Sequence, residues 1–128
     1  MNVLGVGIDL MDIARVRAML ERREEQAITK LLTDDERAFV MAQPDPARHL
    51  AARIAAKEAV YKALQALPGT RGVGWHDLEV LRSVDGRPSI RLLGLAARID
   101  REQGPLVIEL SLSHSDVTAG AVAVVGKA

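Results

Sequence analysis

Polar and apolar positions alternate at the start of the chain. Leu4, Val6 and Ile8 fall on one side and Gly5, Gly7 and Asp9 on the other, which predicts a strand over Val3–Asp9. One face of that strand carries almost no side chain until it ends in a carboxylate. The period then changes. From Asp12, an N-cap residue type, the segment DIARVRAMLERREEQ puts Ile13, Val16 and Leu20 on one side and Arg15 and Arg22 on another, the pattern of an amphipathic helix with a basic stripe. Thr33 and Glu36 have the T-x-x-E spacing of a capping box, so a short second helix is expected there, ended by Pro44 and Pro46. A helix built mostly of alanine runs from about His49 to Leu64, and Pro68 with Gly69, Gly72 and Gly74 forbids its continuation.

In the second half, strand-like runs flank Asp85-Gly86, a hairpin signal. LAARIDREQ predicts a helix closed by Gly104. Leu106, Ile108, Leu110 and Leu112 then alternate with Glu109, Ser111 and Ser113 in the first of two strands joined near Ser115-Asp116. The order of strand, helices, hairpin, helix and hairpin predicts an α+β fold, a small antiparallel sheet packed with helices. With no repeat, linker or low-complexity tract, residues 1–128 are expected to form a single domain.

Composition narrows the chemistry. Lys plus Arg and Asp plus Glu number 17 each, so no global field favours a nucleic-acid partner and any charge-based recognition must be local. The chain has no cysteine, which removes thiol catalysis, thiolate metal sites and disulfides. The start MNVLGVGIDL lacks the basic and long apolar regions of a signal peptide, and no apolar stretch approaches the roughly 18 residues that span a bilayer, so a soluble, cytoplasmic protein with no membrane partner is expected. Phe39, Tyr61 and Trp75 are the only aromatics, so the core must be aliphatic.

The alanine-rich helix carries Arg53, Lys57, Glu58 and Lys62 on adjoining turns. On a helix Glu58 neighbours Ala51, Ile54, Ala55 and Lys62, so its carboxylate leaves a surface of small apolar groups and needs a cation. One reading is an intrahelical pair with Lys62, worth about 0.3–0.5 kcal/mol at a surface. The other pairs Glu58 with Asp9, two carboxylates on rigid elements forming a hard oxygen site of the kind Mg²⁺ uses together with waters and substrate phosphates. Arg53, Lys57 and Lys62 then supply charges for phosphates, or else form a solvated face. GVGID is not a dinucleotide-binding fingerprint and no P-loop is present. His114 lies among hydroxyls at a strand end, where it serves a phosphate or a turn. His49 and His76 have no partner at metal-ligand spacing, and no Ser-His-Asp triad can be assembled.

Taken in order, GVGIDLMDIARV, LTDDE, AARIAAKEAVYKAL, GRP and LSLSHS resemble the holo-acyl-carrier-protein synthase family of 4'-phosphopantetheinyl transferases over nearly the whole chain. The G-[IV]-D start and the A-A-K-E-A-x-x-K-A helix are its specific marks. The resemblance implies Mg²⁺-dependent transfer of the 4'-phosphopantetheine arm from coenzyme A to a serine of apo acyl carrier protein, a step serving fatty-acid biosynthesis, with release of adenosine 3',5'-bisphosphate. It implies Asp9 and Glu58 as metal ligands and, with Lys62, as the catalytic set. Arg53, Lys57, Lys62, Arg87, Pro88, Ser113, His114 and Ser115 are implied to contact coenzyme A, and Arg15 and Arg22 to face the acidic carrier protein. It further implies a homotrimer with active sites at subunit interfaces, where the strand bearing Asp9 and the KEA helix come together. The chain departs from the pattern at Ile54, where many relatives carry Phe or Trp. Two other readings remain at this point: a Mg²⁺-dependent phosphohydrolase of nucleotides or coenzyme A, and a non-catalytic assembly subunit whose helix charges pair between copies.

Overall fold

The computed structural model describes all of residues 1–128. Strand β1 (Asn2–Asp12) leads into α1 (Ile13–Glu21), α2 (Glu25–Leu31), α3 (Asp34–Met41) and the long α4 (Pro46–Leu64). A 3₁₀ turn (Trp75–Asp77), the hairpin β2 (Leu78–Arg82) and β3 (Pro88–Leu92), α5 (Gly94–Gln103), β4 (Leu106–His114) and β5 (Thr118–Lys127) complete the chain. All strand pairing is antiparallel, in one sheet ordered β1-β5-β4 and a second made of β2 and β3. The α+β architecture is the expected one, and the hairpin turns at Asp85-Gly86, where Gly86 takes φ 86°.

Local chemistry explains most element ends. The Asp12 carboxylate accepts from Ala14 N–H and caps α1, and Thr33 with Glu36 closes the capping box of α3. Two expectations are corrected. The helix from Asp12 does not run through DIARVRAMLERREEQ. It stops after Glu21, where Arg23 N–H donates to Leu20 O and Glu24 N–H to Met19 O with Arg23 at φ 53°, a Schellman closure that ordinarily takes glycine. And Pro46, expected to end a helix, occupies the first turn of α4, where its missing N–H has no partner to lose, so α4 begins three residues before His49.

Helix α4 is the centre of the molecule. Ala55, Ala56, Ala59, Val60, Ala63 and Leu64 pack on the three-stranded sheet, β2 and α5, while Ala47, Leu50, Ala51 and Ile54 pack on α1, α2 and α3. A helix buried on so many sides has no single polar face. Its alanines allow this, because β1 lies directly on them. A β-carbon on Gly5 would stand 2.1 Å from the Ala63 carbonyl oxygen, and one on Gly7 would stand 1.9 Å from that of Ala59. The bare face of β1 is therefore the buried one. Its apolar face is open: Val6, Ile8 and Leu10 are 62, 61 and 69 % exposed, beside Val122 at 40 %.

Candidate active site

The glycine–alanine seam sets the geometry of the site. Asp9 shares a strand face with Gly5 and Gly7, so close contact of β1 with α4 delivers its carboxylate to the turn of α4 that holds Glu58 and Lys62. Lys62 Nζ donates to Asp9 Oδ1 (3.1 Å) and to Ile8 O (3.0 Å), fastening the helix to the strand. The simple intrahelical Glu58–Lys62 pair is thus replaced by a contact between elements. Burial raises the Glu58 pKa, the Asp9 charge raises it further, and Lys62 opposes both. Two carboxylates brought to one cleft in this way repel each other and suit a cation.

Asp9 and Glu58 line a cleft of about 410 Å³ whose walls are mainly apolar, including Met11, Met19, Leu31, Ile54 and Trp75, with Arg15 at its edge. Glu58 and Trp75 also border a smaller cavity of about 150 Å³ reaching Tyr61 and Val73. Glu58 therefore stands between two hollows. Ile54 is 5 % exposed and forms part of the cleft wall. No third acidic, histidine or cysteine side chain joins the two carboxylates. That donor set fits Mg²⁺, which keeps several waters and takes one or two protein carboxylates together with substrate phosphates.

The other candidate residues divide by place. Lys57 is not available to a phosphate: its side chain is 1 % exposed and its three ammonium protons go to Glu36 Oε1 (2.6 Å), Leu31 O (2.7 Å) and Trp75 O (2.8 Å). Burial lowers its pKa against the opposing pull of Glu36. Arg53 is turned away from Asp9. Its guanidinium lies 4.4 Å from the Phe39 ring centroid, it borders a cavity of about 160 Å³ with Arg82, and its buried Nε has no hydrogen-bond partner. Burial and the nearby Arg82 lower the Arg53 pKa while Glu36 opposes them, and His49 is lowered by burial and by Arg48, Arg53 and Arg82 against Asp45; Asp35, Glu36 and Glu79 line the same cavity, so the charge of this corner is mixed. Pro88 pairs with Arg82 across the hairpin, which puts the Arg87-Pro88 turn beside the same corner.

Ser113, His114 and Ser115 lie at the end of β4, with His114 opposite Ala119 on β5, and Ala119 opposite Met11 on β1. This turn is at the Asp9 end of the sheet, yet none of its residues lines a hollow shared with Glu58. Ser113 borders the open apolar face with Ile8 and Leu10. Arg15 on α1 and Arg22, the residue that caps its end, are exposed, and only Arg15 reaches the cleft. The strand bearing Asp9 and the KEA helix meet within one chain, so their joining needs no second copy.

A profile of the 4'-phosphopantetheinyl transferase superfamily matches residues 5–120. The chain belongs to that superfamily. It is 43 % identical over 111 residues to a holo-(acyl-carrier-protein) synthase of Syntrophotalea carbinolica, covering 86 % of this chain and 85 % of the relative. A holo-(acyl-carrier-protein) synthase of Frankia casuarinae is 43 % identical over 124 residues, covering 97 % of this chain and 98 % of the relative. Among solved structures, the acyl carrier protein synthase of Mycobacterium tuberculosis superposes with a TM-score of 0.77 at 37 % identity, over 99 % of this chain and 100 % of that one. The holo-(acyl-carrier-protein) synthase of Bacillus anthracis, in complex with CoA (3',5'-ADP), gives 0.80 at 27 % identity, over 100 % of both chains.

For a phosphopantetheinyl transferase, the structure adds residues that the sequence did not single out. Glu36, visible only as a capping residue, is 2 % exposed and is the buried anion for Lys57. Arg82, a strand-end residue with no motif, shares the Arg53 corner. Trp75 stands between the two hollows at Glu58, and its place after three glycines was its sole signal.

Proposed function

We propose that this chain transfers the 4'-phosphopantetheine arm of coenzyme A to a serine of apo acyl carrier protein, releasing adenosine 3',5'-bisphosphate, with residues 1–128 acting as one transferase unit in the cytoplasm. The observation that carries the reading is the convergence of Asp9 and Glu58 beside Lys62, across a seam that only glycine permits, at an apolar cleft edged by Arg15. Superfamily membership and the coenzyme A bound by the Bacillus anthracis relative support it.

Asp9 and Glu58 would hold Mg²⁺, which when bound supplies neutralisation and polarisation of the diphosphate. The remaining steps fall to the chain. The serine oxygen of the carrier protein forms a bond to the β-phosphorus, the bond to the bridging oxygen breaks, and the bisphosphate leaves. Lys62, anchored on Ile8 O and Asp9, offsets negative charge as it develops on the leaving side. The serine proton passes to Glu58 or to water. The nucleophile comes from the partner, so the enzyme needs none of its own.

The guanidinium of Arg53, with Arg82 and the Arg87-Pro88 turn nearby, suits a phosphate of coenzyme A, which would give the orphaned Arg53 Nε an acceptor. Arg15 on α1 and Arg22 at its end suit an acidic carrier protein. A homotrimer accounts for the open face of Val6, Ile8, Leu10 and Val122, and would bring the Ser113-His114-Ser115 turn of one copy toward the cleft of another.

Mass spectrometry of apo acyl carrier protein incubated with this protein, coenzyme A and Mg²⁺, against a chelated control, tests the reading. A metal-dependent gain of one phosphopantetheine mass is expected. Bisphosphate released without modification of the carrier would make the protein a hydrolase, and neither product would make it a binding subunit.

A further inference from the structure

Glu36 and Lys57 form an ion pair in which each side chain is 1 % exposed. Every polar atom of the pair is occupied. Lys57 donates to Glu36 Oε1, Leu31 O and Trp75 O, while Glu36 also accepts from Thr33 N through Oε1 and from Val80 N through Oε2, both at 2.9 Å. One pair thereby ties together the end of α2, the start of α3, the middle of α4, the 3₁₀ turn and β2.

A buried ion pair is a poor stabiliser, because removing two charges from water offsets most of their attraction. What distinguishes this one is what it orients. Leu31 and Trp75, whose carbonyls Lys57 holds, both line the cleft that contains Asp9 and Glu58, and Trp75 also walls the smaller cavity. Lys57 is the neighbour of Glu58 on α4, so the same turn carries a carboxylate into the cleft and an ammonium that grips two of its walls.

We infer that the Glu36–Lys57 pair is a positioning element of the transfer reaction: it fixes Leu31 and Trp75 relative to Glu58 and so sets the width of the cleft where the coenzyme A arm meets the two carboxylates. Neither residue touches substrate. The inference rests on the transferase reading and takes Lys57 out of the set of phosphate contacts.

A double-mutant cycle of Glu36→Gln, Lys57→Met and the two together, in the full chain, tests it. Gln keeps an oxygen for the capping box, so Glu36→Gln is the gentler change. Trp75 is the only tryptophan, so its emission reports on the cleft wall directly. Each variant is expected to melt cooperatively above the assay temperature, to shift Trp75 emission and lower its anisotropy, and to lose about tenfold or more in kcat/KM for coenzyme A. The double variant should be no worse than the poorer single one, as for residues acting as a unit. If Lys57→Met alone loses activity while Glu36→Gln keeps both kcat/KM and emission, Lys57 is a direct substrate contact and the inference fails. Lowered melting temperatures with unchanged kinetics and emission would make the pair purely structural. Should Lys57→Met not fold, Glu36→Gln decides by the same two readouts. Absence of transfer by the unaltered protein would defeat the transferase reading, and Trp75 emission would still show whether the pair holds the wall.

Discussion

Gly7 and Ala59 are in backbone contact, with room for no side-chain atom between the strand and the helix: a β-carbon at Gly7 would stand 1.9 Å from the Ala59 carbonyl oxygen. Gly7→Ala must therefore push β1 off α4, separating Asp9 from Glu58 and Lys62. We expect a loss of about 2–3 kcal/mol by overpacking and at least about a hundredfold loss of transfer, from a change that touches no charged group. Denaturant melts and the mass-spectrometric assay check both. Full activity at unaltered stability would mean that the seam does not set the site.

Lys62 separates stability from chemistry. Its side chain is half exposed, so Lys62→Met should change unfolding free energy by at most about 1 kcal/mol, the range of exposed ion pairs. Transfer should fall by about a hundredfold or more, as when one donor at a developing charge is removed. Parallel thermal melts and single-turnover assays distinguish the two.

Glu58 gives a pH dependence whose sign follows from its raised pKa. The folded protein holds the Glu58 proton more tightly than the unfolded chain does. Its contribution is thus favourable below the ordinary glutamate value of about 4.3 and is lost as pH rises through the folded pKa. Metal must displace that proton, so Mg²⁺ affinity should fall as pH is lowered through the same window, with proton release on binding measurable by calorimetry in buffers of different ionisation enthalpy. Glu58→Gln should abolish transfer, flatten this dependence and, without metal, raise stability by about 0.5 kcal/mol after allowance for solvent screening. A metal affinity that does not change with pH would show that Glu58 is not a ligand.

Arg23 adopts φ 53° where α1 closes, a conformation that costs a residue with a β-carbon about 1 kcal/mol or more. Arg23→Gly should recover about 0.5–1 kcal/mol and raise the melting temperature by a few degrees, leaving coenzyme A turnover unchanged. A fall in melting temperature would mean that the arginine side chain contributes more than its backbone conformation costs.

These cases mark how far the sequence could be read. Strand alternation, the Asp85-Gly86 turn, the Thr33–Glu36 cap and Gly104 are local signals, and local geometry obeyed them. Arg23 was illegible because a left-handed residue other than glycine leaves no mark in composition. Pro46 was read as a stop, although a proline that ends one helix is equally suited to begin the next. The helix bearing the site was the hardest part. Its periodicity puts Arg53 with Lys57 on one side of α4 and Glu58 with Lys62 on another, but α4 is packed on nearly every side, and only tertiary neighbours tell which side is solvent. Hence Lys57, grouped with the phosphate contacts by resemblance, points into the interior toward Glu36, an acid 21 residues away in sequence. The sequence offers the Glu58–Asp9 pairing as one of two readings: Gly5 and Gly7 give β1 a bare face, but what lies on that face is decided by α4.

The pairing of β1 with β5 has a temporal meaning. Asn2 stands opposite Lys127 and Asp9 opposite Ala121, so β1 is completed by a strand that is made long after it. During synthesis Asp9 emerges early and Glu58 midway, but the sheet that holds Asp9 against α4 cannot close until residues 118–127 have left the ribosome. Shortening β5, which carries none of the charged groups of the site, should therefore loosen β1 from α4 and weaken the site without touching a carboxylate.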